Sequence, residues 1–466
     1  MVAVVAGPAV ARLPIGRGRP GAVEAGLGVP PWLPMDRPVA WFRAAPTTDQ
    51  AASAEIMART VRAGVEAGVP VVGVLVRAGL GTGSGLDDLC GWGTVARALA
   101  GASGQVPTLL VVDGPCLGGP ALLLGLADVV VMTARGQAFV NAPSSSARIT
   151  GSAVLDADLV GGSWVHGART GVADLVTADL DEALDLAADL LDLLPANAGE
   201  LPRPVASDDP VDRSSQRAAA AVPADGRASY DVRNVIADVV DAETFLELRG
   251  RFGTSVVTGL ARVAGMAVGV LANQPSQLAG ALDIEGSQKG GAFVRFCDAF
   301  NLPLITLVDT PGFRPGRDQE WRGMVRHGAK LAFAYAEATV PRICVVLRKA
   351  YGGAFIVMDC KSMGNDCALA WPSAEIAVMG PKGAVEILGR RDLAAVPDGP
   401  EREARRAELE ADYEAEHLSP AAALERGFVD DVIDPADTRR AVAGALLALG
   451  AKREHLPARR HDNIPL

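Results

Sequence analysis

Two glycine pairs stand where a chain could do chemistry with its backbone alone. In "VPRICVVLRKAYGGAF" the first glycine of the pair, Gly352, lies 11 positions after Pro341, and in "VPTLLVVDGPCLGGPA" Gly118 lies 11 positions after Pro107. Each pair follows a short apolar run that reads as a buried strand and precedes a segment that reads as a helix. A strand that passes through Gly-Gly into a helix leaves successive N–H groups unpaired at the positive end of the helix dipole, the makings of an oxyanion hole. Glycine suits that place because a substrate carbonyl must approach the main chain closely and the backbone needs unusual φ values. The same glycines would also serve tight helix-on-strand packing. The recurrence of the pair at a matching place strengthens the chemical reading.

Side chains offer little else. The five histidines, His166, His327, His417, His455 and His461, are widely separated, and no GxSxG, HExxH or Walker A motif is present. The carboxylates form no persuasive acid/base pair. Cys90, Cys116, Cys297, Cys344, Cys360 and Cys367 are scattered without a CxxC, which reads as structural thiols in a reducing compartment and gives no support to a metal site. The chemistry that fits is enolate stabilisation by main-chain donors.

The elements that must position these glycines recur in order. Pro70 to Gly79 and Pro303 to Gly312 span 9 positions each, and Asp128 to Pro143 and Asp366 to Pro381 span 15 each. With the glycine pairs these make three anchors, offset between halves by 233, 234 and 238 positions. Short apolar strands alternate with helical patterns, for example "AASAEIMARTVRAGVEAG" and "EWRGMVRHGAKLAFAYAEA", so each half is expected to be α/β with parallel strands. Residues 199–229, rich in Pro, Asp, Ser and Ala, read as a linker between domains at 1–198 and 230–466. The charged stretch at 400–417 reads as a solvated surface helix.

Composition agrees with a large globular chain. Of 466 residues 49% are hydrophobic, enough for two cores, and the formal charge of −11 without basic, aromatic-interleaved runs argues against nucleic acid. The apolar runs are too short or interrupted to span a bilayer, and the first ten residues lack a basic segment and a cleavage pattern, so the expectation is a cytoplasmic protein.

Residues 280–388, from "GALDIEGSQKGGAF" through "VDTPGFRPG" to "GPKGAVEIL", closely resemble the carboxyltransferase (β) subunit of biotin-dependent acyl-CoA carboxylases such as propionyl-CoA carboxylase. The tail "KREHLPARRHDNIPL" is similar to that family's end, and the resemblance, looser before residue 200, extends over roughly 60–466. It implies two tandem crotonase-like (ββα spiral) domains, the acyl-CoA side first and the biotin side second. It also implies a biotin carboxylase/biotin carrier (α) subunit as partner and biotin on that separate carrier. A homo-oligomer, usually a hexamer, or a hetero-oligomer with a related β subunit would follow, with active sites between domains of different subunits. CO2 would pass from carboxybiotin to the α-carbon of a CoA thioester. By position, Gly353 and Ala354 would serve the biotin ureido oxygen, and Gly118 and Gly119 the thioester oxygen, with Gly352, Phe355, Ile356, Gly79 and Pro120 as substrate-facing neighbours.

Departures from the family concentrate in the first half. Pro120 stands where the family has Ala and carries no N–H. Arg77–Gly81 replaces a usual Ser-Gly-Gly-Ala-Arg, Ser152 a usual Glu, and Ala173-Asp174 a usual Ala-His, and the Gly-Gly-Ser loop near CoA is absent from "FRAAPTTDQAASAE". Ile356 lies where propionyl-type members tend to have Asp. A carboxyltransferase with an altered acyl acceptor is the leading reading. The alternatives are a biotin-independent acyl-CoA decarboxylase and a non-catalytic β-like subunit that assembles with an active paralogue.

Overall fold

The computed structural model describes residues 13–17, 23–45, 50–79, 85–153 and 155–452, with a few further positions in the tail. The first ten residues, Leu80 and Gly81 of the altered stretch, and most of the family-like tail lie outside the described residues. The chain forms two units: Met1–Arg203 with Leu248–Phe252 and Ala299–Asn301, and Pro204–Glu247 with Gly253–Asp298 and Leu302–Leu466.

The first unit contains β1 (Leu13–Arg17), β2 (Val23–Gly28), β3 (Val39–Ala44), β4 (Val71–Leu75), β5 (Ala78–Gly79), β6 (Thr108–Val112), β7 (Pro115–Leu117), β8 (Val129–Thr133), β9 (Gln137–Phe139) and β10 (Leu175–Thr177). One sheet runs β1-β2-β3-β4-β6-β8-β10, and β5-β7-β9 form a small second sheet. From β3 onward the main sheet is parallel. β4, β6 and β8 are buried at every position, as expected for parallel strands covered on both faces. The helix Gln50–Ala67 matches the expected period, buries Ile56, Met57 and Val61 on one face, and stops before Gly68 at φ +63°.

The second unit contains β11 (Leu246–Leu248), β12 (Val256–Val263), β13 (Met266–Asn273), β14 (Leu304–Thr310), β15 (Arg342–Tyr351), β16 (Cys367–Ala370), β17 (Glu375–Ala377) and β18 (Asp431–Val432). Its sheet runs β11-β12-β13-β14-β15-β16-β18, with β17 beside β15. The three anchors identify β4 with β14, β6 with β15 and β8 with β16, and the two sheets list these strands in the same order.

The third anchor has a physical basis. Asp128 Oδ2 accepts from the Thr108 N–H at 2.8 Å, and Asp366 Oδ2 accepts from the Arg342 N–H at 2.8 Å. Thr108 and Arg342 each follow the anchor proline, so in both units an aspartate pins the start of the central strand. A second staple also recurs. Asp174 exchanges bonds with the Val130 backbone, and Asp430 does the same with Ala368, each aspartate being paired with a cation, Arg249 or Lys361. Asp174, a departure from the family, therefore has structural work on β8.

Two elements differ from expectation. The segment 199–229 is divided: 204–229 belongs with the second unit, holds the short helix Gln216–Ala221 and buries Ala218 and Ser215. Its polar composition is satisfied locally, since Arg213 pairs with Asp209 and Asp238, and Arg348 donates to the Asp225 and Ala228 carbonyls. The expected single helix around 320–338 is split into Arg317–Trp321 and Met324–Glu337 by Gly323, which sits at φ +91°.

Candidate active site

In the second unit β15 runs without interruption into the helix Gly352–Val357. Gly352 turns the chain at φ +58°, and a Cβ there would lie 3.0 Å from the Val378 carbonyl oxygen, so both conformation and space call for glycine. Gly353 is exposed and Ala354 fully buried beneath it. The N–H groups of this first turn have no acceptor within the helix.

The end of β15 is braced from below. Buried Asp309 accepts from the Lys349 N–H and from Arg348 Nε, both at 3.1 Å, and the Arg348 guanidinium lies 5.2 Å over the Tyr230 ring. Burial pushes the Asp309 carboxyl above its ordinary value, against the pull of Arg348. The Tyr351 hydroxyl, pushed up chiefly by burial, donates to Glu375 on β17. These contacts fix the last strand residue before the glycine step.

The step opens on a cavity of about 730 Å³, with Gly352, Gly353, Phe355 and Ile356 in its wall. Val378 and Phe428, both largely exposed, continue its apolar surface. Among the further lining residues that were not predicted for the site are Lys361, Tyr413, His417 and Arg426. The stretch expected to be only a solvated helix forms Pro400–Tyr413 and buries none of its residues, yet its end and the following turn reach the cavity. Tyr413 donates to the Met379 carbonyl at 3.3 Å, and its ring centre lies 4.7 Å from that of His417. No spacing rule links them to Gly353; only the fold does.

In the first unit the step is built differently. The strand is broken at Asp113-Gly114, with Gly114 at φ +129°, so that β7 and not β6 carries the glycines. Gly79, Gly118, Gly119 and Pro120 do come together: Gly79 pairs with Leu117 across β5 and β7, and Gly118 turns at φ +74° into the helix Gly119–Leu123. The Gly118 N–H is taken by the Phe139 carbonyl at 2.8 Å, and the Ala121 N–H by Gly118 at 3.1 Å. With no N–H on buried Pro120, Gly119 is left to supply what the helix itself cannot use. A Cβ on Gly119 would press on Trp92 at 2.8 Å, so packing also demands this glycine.

Two α/β units with the same strand order, each turning through a positive-φ glycine into a short helix, define a tandem crotonase-like protein. The Carboxyl transferase domain family matches residues 39–464, and the chain belongs to it. It is 45% identical over 381 residues to the methylmalonyl-CoA carboxyltransferase 12S subunit of Propionibacterium freudenreichii subsp. shermanii, covering 82% of this chain and 72% of that one. With the propionyl-CoA carboxylase carboxyltransferase subunit of Haloferax mediterranei it shares 43% identity over 414 residues, 89% of this chain and 80% of the relative. The crystal structure of transcarboxylase 12S, a hexamer assembly with methylmalonyl-CoA and methylmalonic acid bound, superposes with a TM-score of 0.90. The identity there is 40%, over 96% of this chain and 85% of that one. The chain is a carboxyltransferase enzyme subunit, as its resemblance implied. Among the described residues no helix is long and apolar enough to cross a membrane.

Proposed function

We propose that this subunit transfers a carboxylate from carboxybiotin, borne by a separate carrier protein, to the α-carbon of an acyl-CoA. The observation that carries the reading is the Gly352–Ala354 step at the wall of a 730 Å³ cavity with largely apolar sides. An uncharged bicyclic ring suits walls of Phe355, Ile356 and Val378, so the residues present fit biotin. When its carrier delivers it, biotin supplies the carboxylate. The Gly353 and Ala354 N–H groups would hold the ring by its ureido oxygen and would support negative charge there. Burial of Ala354 and the brace beneath β15 hold these donors in place before substrate arrives.

Gly119 serves the thioester oxygen in the first unit with one donor fewer than the second unit offers. Relatives named for methylmalonyl-CoA and propionyl-CoA make propionyl-CoA the first acceptor to try, and Ile356, standing where propionyl-type members tend to have Asp, argues for a changed choice of acyl chain. The partner is a biotin carboxylase and carrier subunit, the assembly a hexamer and the compartment the cytoplasm. The test is mass-spectrometric detection of products from a carboxylated carrier and a panel of acetyl-, propionyl-, butyryl- and longer acyl-CoAs. A carboxylated thioester supports the proposal; silence across the panel with an active carrier removes it.

Pro120 favours one second reading, a β-like subunit that depends on an active paralogue for its acyl side. Turnover by the purified chain with carrier alone excludes that reading.

A further inference from the structure

The charge around the cavity of the second unit is unlike that of the chain. The protein carries 55 acidic and 44 basic residues, yet among the described lining residues no carboxylate appears, while Lys361, His417 and Arg426 do. Lys361 is already answered, and His417 carries a charge only when protonated. Lys361 pairs with Asp430 and donates to the Asp366 carbonyl, and His417 lies 3.8 Å from Glu416. The Arg426 guanidinium has neither an ion pair nor a hydrogen bond among the described residues, and it stands at the same cavity as Gly353. Its backbone is held, for its N–H donates to the Ala422 carbonyl at 3.2 Å and Gly427 follows at φ +72°.

We propose that Arg426 is the anion-recognition residue of this cavity and takes the carboxylate on the ureido nitrogen of carboxybiotin. The inference rests on the biotin-side reading given above. An arginine fork matches a carboxylate with two parallel N–H donors, and Arg426 is exposed, so its fork is open to an arriving anion. The contact would distinguish carboxylated biotin from bare biotin. Once the carboxylate has moved to the acceptor, Arg426 loses its partner and the spent ring is held less tightly, which favours exchange of the carrier.

The test uses the full chain and two probes: biotinamide, which is neutral, and an N1′-carboxymethyl biotinamide, a stable anion in place of the labile carboxylate. Calorimetric titration of the wild type should show the anion bound about fivefold more tightly than the neutral probe, the gain of one solvent-exposed charge-assisted pair. Arg426→Gln should abolish that preference and leave affinity for the neutral probe within about twofold, and Arg426→Lys should keep part of it, having charge without the fork. Added salt should shrink the wild-type preference. A preference that survives in Arg426→Gln, or is missing from a wild type that binds biotinamide, overturns the inference alone. If the wild type binds neither probe, the biotin-side reading itself fails and the inference goes with it.

Discussion

Replacing Gly353 by proline removes one N–H from the second-unit step and little else. A Cβ at Gly353 would meet Phe313 at 3.5 Å, an ordinary contact, and the residue is exposed in the first turn, where proline is tolerated. The stability change should stay within about 1 kcal/mol. If this N–H supports developing negative charge, its loss should lower kcat by about 100- to 1000-fold, or about 3–4 kcal/mol of transition-state stabilisation. Gly353→Ala is the control, since it adds the Cβ and keeps the donor; it should retain kcat within a few-fold, roughly the effect of 1 kcal/mol or less. Initial rates of transfer from carboxylated carrier to propionyl-CoA, measured beside thermal unfolding of each variant, supply both readouts. Equal losses in the two variants would show that space and not the N–H matters at Gly353. Near-normal rates in Gly353→Pro would refute the donor role outright.

Pro120→Ala restores the missing donor of the first unit and should raise kcat with acyl-CoA about tenfold or more; an unchanged rate would mean the residue-120 amide is not aimed at substrate. Asp128, pinned to Thr108, has its carboxyl pushed by burial from 3.8 up to about 6. The folded state therefore keeps a proton that the unfolded chain has already lost, and stability from this group falls as pH rises through that window, by about 3 kcal/mol in full. Asp128→Asn should flatten the urea midpoint between about pH 4 and pH 7; a slope identical to that of the wild type would contradict this. Arg439 is wholly buried and bonds Asp241 at 2.6 Å as well as the Pro210 and Val239 carbonyls. Arg439→Ala should cost about 3–5 kcal/mol by urea unfolding, because it strands a buried carboxylate; a loss below about 1 kcal/mol would show that the pair is not needed.

The tandem fold was readable because its anchors are physical parts. A proline opens each central strand, an aspartate further on pins the next residue, and a glycine of positive φ ends the run, so composition at those positions is dictated locally. Other features depend on long-range closure. Tyr413, His417 and Arg426 lie 60, 64 and 73 positions beyond Gly353 and meet it only through the folded second unit. The segment 204–229 has no hydrophobic period, because its place is secured by Arg213, Arg348 and backbone carbonyls. The commitment of the Gly118 N–H to Phe139 was likewise invisible, since the strand pairing of β7 with β9 creates it.

The most direct test of the account is a single-turnover experiment with a carrier whose biotin bears a ¹³C-labelled carboxylate, mixed with this subunit and propionyl-CoA in the absence of ATP and bicarbonate. The label should appear in the carboxylated thioester at a rate that Gly353→Pro reduces by about 100-fold or more. Label that remains on the carrier or escapes wholly as CO2, from an intact and assembled subunit, would contradict the assignment of this chain as the transferase.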